Sequence, residues 1–317
     1  MRALITGGSG FVGPFLSNEL KLRSHEAVVL DHTCDLTNYE DTTHNIAEFI
    51  NLSPDKDNLA VFHLAALSHV GMSWDNPARY VEVNVQGTVN LLKALADIGF
   101  TGRFIFVSSA EVYGKTLNRT PIVENVKAAP LSPYAASKLA GEEFVLQYQR
   151  AYGYEGIIAR PFNHIGPNQT DKFLVSAIAK RIVEAELAQH NSIDVGNLDA
   201  VRDFLDVRDV VRAYVDIAEY GENAQVYNIC SGVPTTVRTL VDELISLSGA
   251  ELHLSVNPSL VRPIEVEYLV GDNSKLVTRA NFTQKYTLSS TLEDVLKFWR
   301  GRVESPKLLF GDHSSRP

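Results

Sequence analysis

The stretch Arg2-Ala-Leu-Ile-Thr6-Gly7-Gly-Ser-Gly10-Phe-Val-Gly13 decides the fold. Its apolar start predicts a short buried strand, and the helical pattern Phe15, Leu16, Leu20 follows the glycines. These glycines permit a tight turn, close approach of the backbone to a pyrophosphate and close packing of the helix on the strand. The N–H groups at the start of the helix then face the phosphates. We therefore expect a dinucleotide site contacted by Gly7, Gly10, Phe11 and Val12, the alternative being glycines that serve only as a turn.

A second predicted strand, Val28-Val29-Leu30, ends in Asp31. A carboxylate there accepts hydrogen bonds from an adenosine ribose and repels the 2'-phosphate of NADP, which favours NAD(H) and leaves NADP(H) as the second choice. An acidic residue that ends a strand only for solubility is the alternative. Because His32 to Leu36 follow so closely, the third strand of the usual pattern must be very short or missing. Asp35 and Leu36 are expected on the adenine side, unless Asp35 caps the helix that follows Thr37.

The sequence His63-Leu64-Ala65-Ala66 ends the next predicted strand. Small residues at that point let the backbone pack against a cofactor, so Leu64, Ala65 and Ala66 are candidate contacts. A packing site for small residues is compatible with the same sequence.

Tyr134 and Lys138 open a predicted helix that follows the run Phe104 to Ser109. Four residues make about one helical turn, so the phenol and the ammonium share one face. A cation held against a phenol stabilises the phenolate, and such a tyrosine exchanges protons near neutral pH. Ser109, at the end of a strand, adds a hydroxyl that can hold a carbonyl or alcohol oxygen. Taken alone, this spacing also fits an exposed aromatic residue followed by a solvated lysine.

Together these motifs resemble the extended short-chain dehydrogenase/reductase superfamily, and the resemblance runs from Met1 to near Arg300. Three further stretches resemble its GDP-mannose branch, in particular the GDP-4-keto-6-deoxy-D-mannose reductases that make GDP-D-rhamnose. They are Arg160-Pro-Phe-Asn-His164-Ile-Gly-Pro167, Val195-Gly-Asn-Leu-Asp-Ala-Val-Arg-Asp-Phe204 and Arg262-Pro-Ile-Glu-Val266. The resemblance implies that Ser109, Tyr134 and Lys138 are catalytic, that Tyr134 and Lys138 also contact the cofactor, and that the helices beginning at Pro77 and Pro133 build a homodimer.

The resemblance also implies a set of substrate contacts. Arg202 and Arg262 would pair with a diphosphate, a task that suits guanidinium groups, although either arginine fits a structural salt bridge instead. The other expected contacts are Ser108, Glu111, Asn163, Asn197 and Glu265. Asn84 is implied to hold a backbone carbonyl or a water near the lysine, with a solvent-facing amide as the alternative.

The sequence Ser109-Ala110-Glu111 distinguishes related reactions. A 4,6-dehydratase must take a proton from C5 and give one to the hydroxyl that leaves C6, and the related enzymes place an acidic or hydroxyl residue before the glutamate. Ala110 cannot donate a proton, so we expect reduction of the C4 ketone of a GDP-linked 4-keto-6-deoxyhexose. A dehydratase stays the second candidate because Glu111 remains. A nucleotide-sugar 4-epimerase is a weaker alternative, since the stretch from Phe162 to Pro167 looks more like the reductase. A non-enzymatic cofactor sensor is also weaker, since a sensor does not need the proton-transfer residues Ser109, Tyr134 and Lys138.

Composition limits the class of protein. The 317 residues exceed the roughly 250 to 300 at which one core usually divides, and the net charge of −9 argues against a nucleic-acid surface. Cys34 and Cys230 cannot form a disulfide framework, and the histidines show no metal-ligand spacing, so no metal site is expected. No apolar run approaches the roughly 18 residues of a membrane span, and the first strand follows Met1 directly. A cytoplasmic protein is therefore expected.

Alternation of predicted strands and helices indicates an α/β fold, a doubly wound, Rossmann-like parallel sheet with a smaller interleaved substrate domain. We assign residues 1–162 and 206–232 to the dinucleotide-binding domain, and residues 163–205 and 233–317 to the nucleotide-sugar domain. The further predicted strands are Leu59 to Leu64, Arg103 to Ser108, Gly156 to Arg160 and Val226 to Ile229. The predicted helices are Tyr39 to Asn51, Pro77 to Ile98, Pro133 to Tyr152, Lys172 to Gln189 and Val207 to Tyr220.

Overall fold

The computed structural model describes residues 1–30, 33–53, 55, 58–116, 118–260 and 266–304. Its strands are β1 (Arg2–Thr6), β2 (Glu26–Leu30), β3 (Leu59–His63), β4 (Arg103–Val107), β5 (Glu155–Pro161), β6 (Asn163–Ile165), β7 (Ser192–Val195), β8 (Val201–Asp206), β9 (Val226–Ile229), β10 (Pro234–Thr236), β11 (His253–Val256) and β12 (Tyr268–Leu269). Its α-helices are α1 (Gly13–Leu22), α2 (Tyr39–Asn51), α3 (Met72–Asp75), α4 (Pro77–Val81), α5 (Gly87–Asp97), α6 (Pro133–Tyr152), α7 (Leu174–Ala188), α8 (Val207–Tyr220), α9 (Val237–Ser248), α10 (Ser274–Ala280) and α11 (Leu288–Glu304). A π-helical turn, Glu82–Gln86, joins α4 to α5, and 3-10 turns span Ala110–Tyr113 and Pro258–Leu260.

Six parallel strands form the main sheet in the order β2, β1, β3, β4, β5, β9, which confirms the predicted doubly wound architecture. The chain leaves β1 to form β2 on one side and then crosses to form β3 on the other. At the carboxyl ends of β1 and β3, Thr6 pairs with His63. Ligands of open α/β sheets bind at such a switch point, so the glycine loop stands where a crevice is expected.

Helices cover both faces of this sheet. Alternate residues of a strand point to opposite faces, and in β1 Ala3 and Ile5 join one hydrophobic core while Leu4 joins the other. Helices α1, α8 and α10 contribute to the first core, and α2, α5 and α6 contribute to the second. Burial on both faces explains why these strands read as continuous apolar runs.

Local signals in the sequence set the ends of several helices. Helix α6 begins and ends as predicted, because the Ser132 hydroxyl accepts a hydrogen bond from the Ala135 N–H at 3.1 Å and Pro133 occupies the first turn. Gly153 ends the helix with φ of 84°, a conformation that favours glycine. The single helix predicted from Pro77 to Ile98 is wrong in one respect, since the π turn interrupts it.

A second group of strands follows β5. Strand β8 pairs with β6, β10 and β12, and β7 pairs with β11. Helices α7, α9 and α11 pack into one further hydrophobic core beside them, whereas Leu276 and Ala280 of α10 belong to the first core of the main sheet. The predicted domain boundaries stay a prediction. None of the helices in the described ranges is both long and apolar enough to cross a bilayer.

Candidate active site

The glycine loop leaves room for a ligand between β1 and α1. Gly7 has φ of 69°, and a Cβ there would lie 2.7 Å from the Ala65 backbone, so only glycine lets the two loops approach this closely. A Cβ at Gly13 would lie 2.0 Å from the Gly8 carbonyl oxygen. A Cβ at Gly10 would meet only the Gly7 oxygen, at 3.3 Å, so the space before the helix is open. Val12 caps α1 without a side-chain hydrogen bond, so its side chain does not occupy the backbone N–H groups of the first turn. The glycine cradle, residues 7–13, therefore fits a diphosphate.

Phe11 connects the glycine loop to β6. Its ring stacks on His164 with centroids 6.0 Å apart and an interplanar angle of 7°. Burial lowers the pKa of His164, which keeps that imidazole neutral. The contact gives Phe11 a packing partner within the protein, besides its expected place beside the cofactor.

A hydrogen-bonded chain holds the end of β3 against β1 and α5. The Thr88 hydroxyl donates to the Asn84 carbonyl oxygen at 2.7 Å, so Thr88 accepts from His63 Nε2 at 2.9 Å. His63 Nδ1 then accepts from the Thr6 hydroxyl at 2.7 Å, and Thr6 accepts from the Ala65 N–H. Burial, followed by the charge of Lys138, lowers the pKa of His63 to about 3. This neutral histidine fixes the loop that begins with Leu64, Ala65 and Ala66.

Asp35 forms a local turn. Its Oδ1 accepts hydrogen bonds from the Thr37 N–H at 2.9 Å and the Thr37 hydroxyl at 2.8 Å, and these bonds lower the pKa of Asp35. Asn38 caps α2 by accepting from the Asp41 N–H, so the alternative that Asp35 is the helix cap is wrong. Residues 33–38, the described part of the connection between β2 and α2, form no strand. The Leu36 carbonyl accepts from Asn90, and Asp31 lies outside the described residues.

Tyr134 and Lys138 are both buried at the carboxyl edge of the sheet, with 8% and 3% of their surfaces exposed. The Lys138 ammonium lies 4.6 Å from the centroid of the Phe106 ring in β4. Tyr80 of α4 packs edge-on against the Tyr134 ring at 6.4 Å. These contacts fix both side chains on the same face of α6, as their spacing predicts.

The electrostatics of this pair differ from the sequence-based expectation. Burial raises the pKa of Tyr134 to about 12, opposed by a hydrogen bond from Ser109 and assisted by the charge of Glu111. Burial also lowers the pKa of Lys138 to about 7, opposed by the charge of Glu142. The expected lowering of the phenol pKa is therefore wrong for the protein by itself, because desolvation outweighs the hydrogen bond from Ser109. At neutral pH Tyr134 holds its proton.

Ser109 and Ser108 face different partners. The Ser109 oxygen accepts from the Glu111 N–H at 3.2 Å as the cap of the 3-10 turn, and its hydroxyl donates to the Tyr134 phenol oxygen, the hydrogen bond that opposes the rise of the phenol pKa. The Ser108 hydroxyl is buried and donates to the Glu142 carboxylate. Among the described residues, Ser108 therefore has a structural partner beneath the site, and its expected contact with substrate stays a prediction.

Asn84 lies in the π turn and faces inward, so the solvent-facing alternative is wrong. Its Oδ1 accepts from the Leu67 N–H at 2.7 Å, and its Nδ2 donates to the Leu67 carbonyl at 3.0 Å and to the Ser137 hydroxyl at 2.9 Å. These bonds hold the loop after β3 against α6. A π turn often marks a functional position of this kind.

A pocket lies between the 3-10 turn after β4, the start of α6 and β8. Glu111 and Arg202 line it, together with Ser132, Trp74 and Val266. Arg202 is 8% exposed and donates to the Val201 carbonyl at 3.0 Å. Sequence reasoning missed Trp74, which is 52% exposed, and Ser132, although the position of Ser132 before Pro133 is a cap signature that can find it.

The remaining predicted substrate contacts are scattered or undescribed. Asn163 begins β6 opposite Phe204 of β8, and Asn197 accepts from the Asp199 N–H in the loop before β8. Arg262 and Glu265 lie outside the described residues. In the described ranges, no group of three or more His, Cys, Asp or Glu side chains is arranged to hold a metal ion.

Known proteins of one family are similar to this chain over nearly its whole length. The family model described as GDP-mannose 4,6 dehydratase matches residues 4–295. The chain belongs to this family. Within it, the chain is 36% identical over 306 residues to the GDP-6-deoxy-D-mannose reductase of Pseudomonas aeruginosa, covering 95% of this chain and 98% of that protein. It is 32% identical to the GDP-6-deoxy-D-talose 4-dehydrogenase of Aggregatibacter actinomycetemcomitans, covering 94% and 97%.

Solved structures of this family and its neighbours share the fold. The structure of RMD from Pseudomonas aeruginosa complexed with NADPH matches with a TM-score of 0.86 at 35% identity, covering 95% of this chain and 99% of that one. The UDP-glucose 4-epimerase of Thermotoga maritima with UDP-glucose also matches with a TM-score of 0.86, at 26% identity, covering 96% and 100%. These similarities agree with the predicted superfamily and fold class.

Proposed function

We propose that this chain reduces the C4 ketone of GDP-4-keto-6-deoxy-D-mannose to give GDP-D-rhamnose, using NAD(P)H. The observation that carries the proposal is the burial of Tyr134 and Lys138 on one face of α6, with Ser109 hydrogen-bonded to the phenol. Relationship to a GDP-6-deoxy-D-mannose reductase over nearly the full length of both chains supports the choice of substrate. Ala110, whose buried methyl group cannot move a proton, supports reduction over elimination.

The residues divide the reaction between them. Bound NAD(P)H supplies the hydride for the carbonyl carbon. With substrate bound, the Ser109 hydroxyl would turn from the Tyr134 phenol to donate a hydrogen bond to the carbonyl oxygen, while its own oxygen still accepts from the Glu111 N–H. Tyr134 transfers its proton to the same oxygen as charge develops there. Lys138 stabilises the phenolate that remains and holds the nicotinamide ribose.

The glycine cradle supports the cofactor assignment. Gly7, Gly10, Phe11 and Val12 would hold the diphosphate at the start of α1, where backbone N–H groups point outward. Asp35 and Leu36 would lie on the adenine side. Leu64, Ala65 and Ala66 would line the other wall, since the hydrogen bonds of His63 fix that loop close to Gly7.

Cofactor preference gives one prediction. If Asp31 contacts the adenosine ribose, NADH should be used at least as well as NADPH, because its carboxylate opposes a 2'-phosphate by up to roughly 4 kcal/mol before screening. Comparison of kcat/KM for NADH and NADPH with the same keto sugar checks this. Asp31→Ala should move the ratio toward NADPH. A strong preference of the wild type for NADPH, the cofactor in the RMD complex, would show that Asp31 points elsewhere.

The reaction itself is tested with two sugars. Incubated with GDP-mannose alone, a dehydratase recycles its own hydride and forms the 4-keto-6-deoxy sugar, whereas we expect this protein to leave GDP-mannose unchanged. Given the 4-keto-6-deoxy sugar, it should oxidise one NAD(P)H per sugar and yield a 6-deoxyhexose without a carbonyl. Product analysis by NMR with absorbance at the nicotinamide band measures both results. Dehydration of GDP-mannose would instead establish the second candidate.

Glu111 is the reason to keep that second candidate, since it lines the pocket and its charge acts on Tyr134. A base at C5 is indispensable to elimination and peripheral to reduction of a ketone. Glu111→Gln should therefore keep most of the reductase activity. Loss of reduction in that variant would give Glu111 a role outside this scheme.

The substrate would enter through the pocket beside β8. Arg202 and Arg262 would pair with the diphosphate, and Asn163, Asn197 and Glu265 would contact the sugar or the nucleoside. We also propose a homodimer built from the helices that begin at Pro77 and Pro133, on which Val81 and Phe144 are exposed apolar side chains. A cytoplasmic location is part of the same proposal, since a chain with only two cysteines fits a reducing compartment.

A further inference from the structure

A buried carboxylate lies on the same helix as the proposed proton-transfer pair. Glu142 follows Lys138 by four residues and Tyr134 by eight, which places all three on one face of α6. Only 2% of Glu142 is exposed. Sequence reasoning missed this residue, although its spacing from Lys138 is a readable signal.

Glu142 ties together three elements of the site. Arg160 of β5 donates to it through two parallel hydrogen bonds, from Nε to Oε1 at 2.9 Å and from Nη2 to Oε2 at 2.6 Å. The Ser108 hydroxyl, at the end of β4, donates to Oε1. Ser108 precedes Ser109, so the same carboxylate anchors the strand end that presents the Ser109 hydroxyl.

Arg160 is itself held in one place. Its guanidinium lies 4.8 Å from the centroid of the Tyr113 ring and donates to the Glu124 carbonyl at 3.4 Å. The Tyr113 hydroxyl donates to Asn228 at 2.6 Å. These contacts hold the Glu142–Arg160 pair in a single bidentate geometry. The pair in turn fixes the position of α6, which carries Glu142, relative to the end of β4, where Ser108 donates to Glu142.

Stability alone gives no reason for such a pair, because apolar residues of similar volume often stabilise a fold as well or better. We infer that Glu142 and Arg160 are positioning residues, whose buried ion pair balances the charge near Lys138 and anchors the end of β4 that carries Ser109. This inference rests on the proposed function for its catalytic meaning. The charge-balancing role of the pair concerns the protein without cofactor and does not depend on which reaction is catalysed.

The charges around Lys138 predict the direction in which its pKa changes when Glu142 or Arg160 is replaced. Among the described residues, the titratable or charged groups around Lys138 are Glu142, Tyr134 one turn away on α6, neutral His63 of β3 and, behind Glu142, Arg160 of β5. Glu142→Gln removes the anion and leaves the Arg160 cation unopposed, which disfavours the ammonium. The double variant Glu142→Gln/Arg160→Met removes both charges.

The experiment measures the Lys138 titration directly in the protein without cofactor, by carbon-13 NMR of lysine-labelled samples, with the resonance identified from Lys138→Met. We expect Glu142→Gln to lower the pKa of Lys138 by on the order of one pH unit. The double variant should reverse most of that shift, so that the pKa of Lys138 returns toward the wild-type value. Equal shifts in the single and double variants, or no shift in either, would overturn the charge-balancing role.

Ser108→Ala tests the anchoring role and removes too little to unfold the protein. With Ser108 as an anchor, kcat for the keto sugar should fall several-fold while KM stays within about twofold. A raised KM with unchanged kcat would make Ser108 a substrate contact instead, and unchanged kcat and KM together would also overturn the anchor.

Asp209→Asn is the matched control, because Asp209 forms another buried ion pair, with Arg212 of α8. It should lower the stability without moving the Lys138 titration. If no keto sugar is reduced by any form of the protein, the proposed function fails while the Lys138 shifts still decide the charge-balancing role.

Discussion

Tyr134→Phe is expected to keep the fold and the affinity for cofactor while losing about 10²- to 10⁴-fold in kcat, the usual contribution of a positioned proton donor. The substitution removes only the hydroxyl, and the contacts of the ring with Tyr80 remain. Because the pKa of Tyr134 is raised to about 12, the wild-type donor stays protonated through neutral pH. Steady-state kinetics with the keto sugar, together with cofactor titration by fluorescence, measures both parts.

Tyr154→Phe is the matched control for this result. Tyr154 is fully buried and its hydroxyl has no hydrogen-bond partner among the described residues, so removing it should leave kcat unchanged and the fold at least as stable. If Tyr134→Phe keeps kcat within a few-fold of the wild type, another group supplies the proton and the site is misassigned.

The parts of the fold that depend on neighbours in sequence could be predicted. Helix α6 begins after the cap residue Ser132, with Pro133 in its first turn, and ends at Gly153. Each of these residues affects the backbone only within a few positions along the chain. Strands β1 and β3 follow from their apolar runs. Such signals are local, so a single sequence contains them.

The features that escaped prediction depend on contacts distant in sequence. The π turn at Asn84 forms with hydrogen bonds to Leu67 and Ser137, which no periodicity in the helix indicates. Ser108 has the hydroxyl of a plausible substrate contact, but its partner is Glu142 on another element. The direction of the Tyr134 pKa shift depends on how completely the fold excludes water, and spacing from Lys138 cannot reveal that.

Lys138→Met is expected to lose most activity and weaken cofactor binding, and yet to make the protein more stable than the wild type at neutral pH. Burial lowers the pKa of Lys138 from 10.5 to about 7, so the folded state holds the ammonium less readily than the unfolded chain does. Each pKa unit is worth about 1.4 kcal/mol, which makes the cost of burying this charge on the order of a few kcal/mol. Methionine fills similar volume beside Phe106 without a charge.

The pH dependence of this gain has a definite sign. Below the folded pKa of about 7, both states of the wild type carry the charge, and the full cost applies. Between about 7 and 10.5 the unfolded chain binds more protons than the folded protein, so wild-type stability rises with pH and the advantage of methionine shrinks. Urea unfolding of both proteins from about pH 6 to about pH 9 measures the difference. Lys127→Met, at an exposed position, should change stability little at any pH. A destabilised Lys138→Met, or a difference that grows with pH, would mean that Lys138 is charged and well solvated in the folded protein.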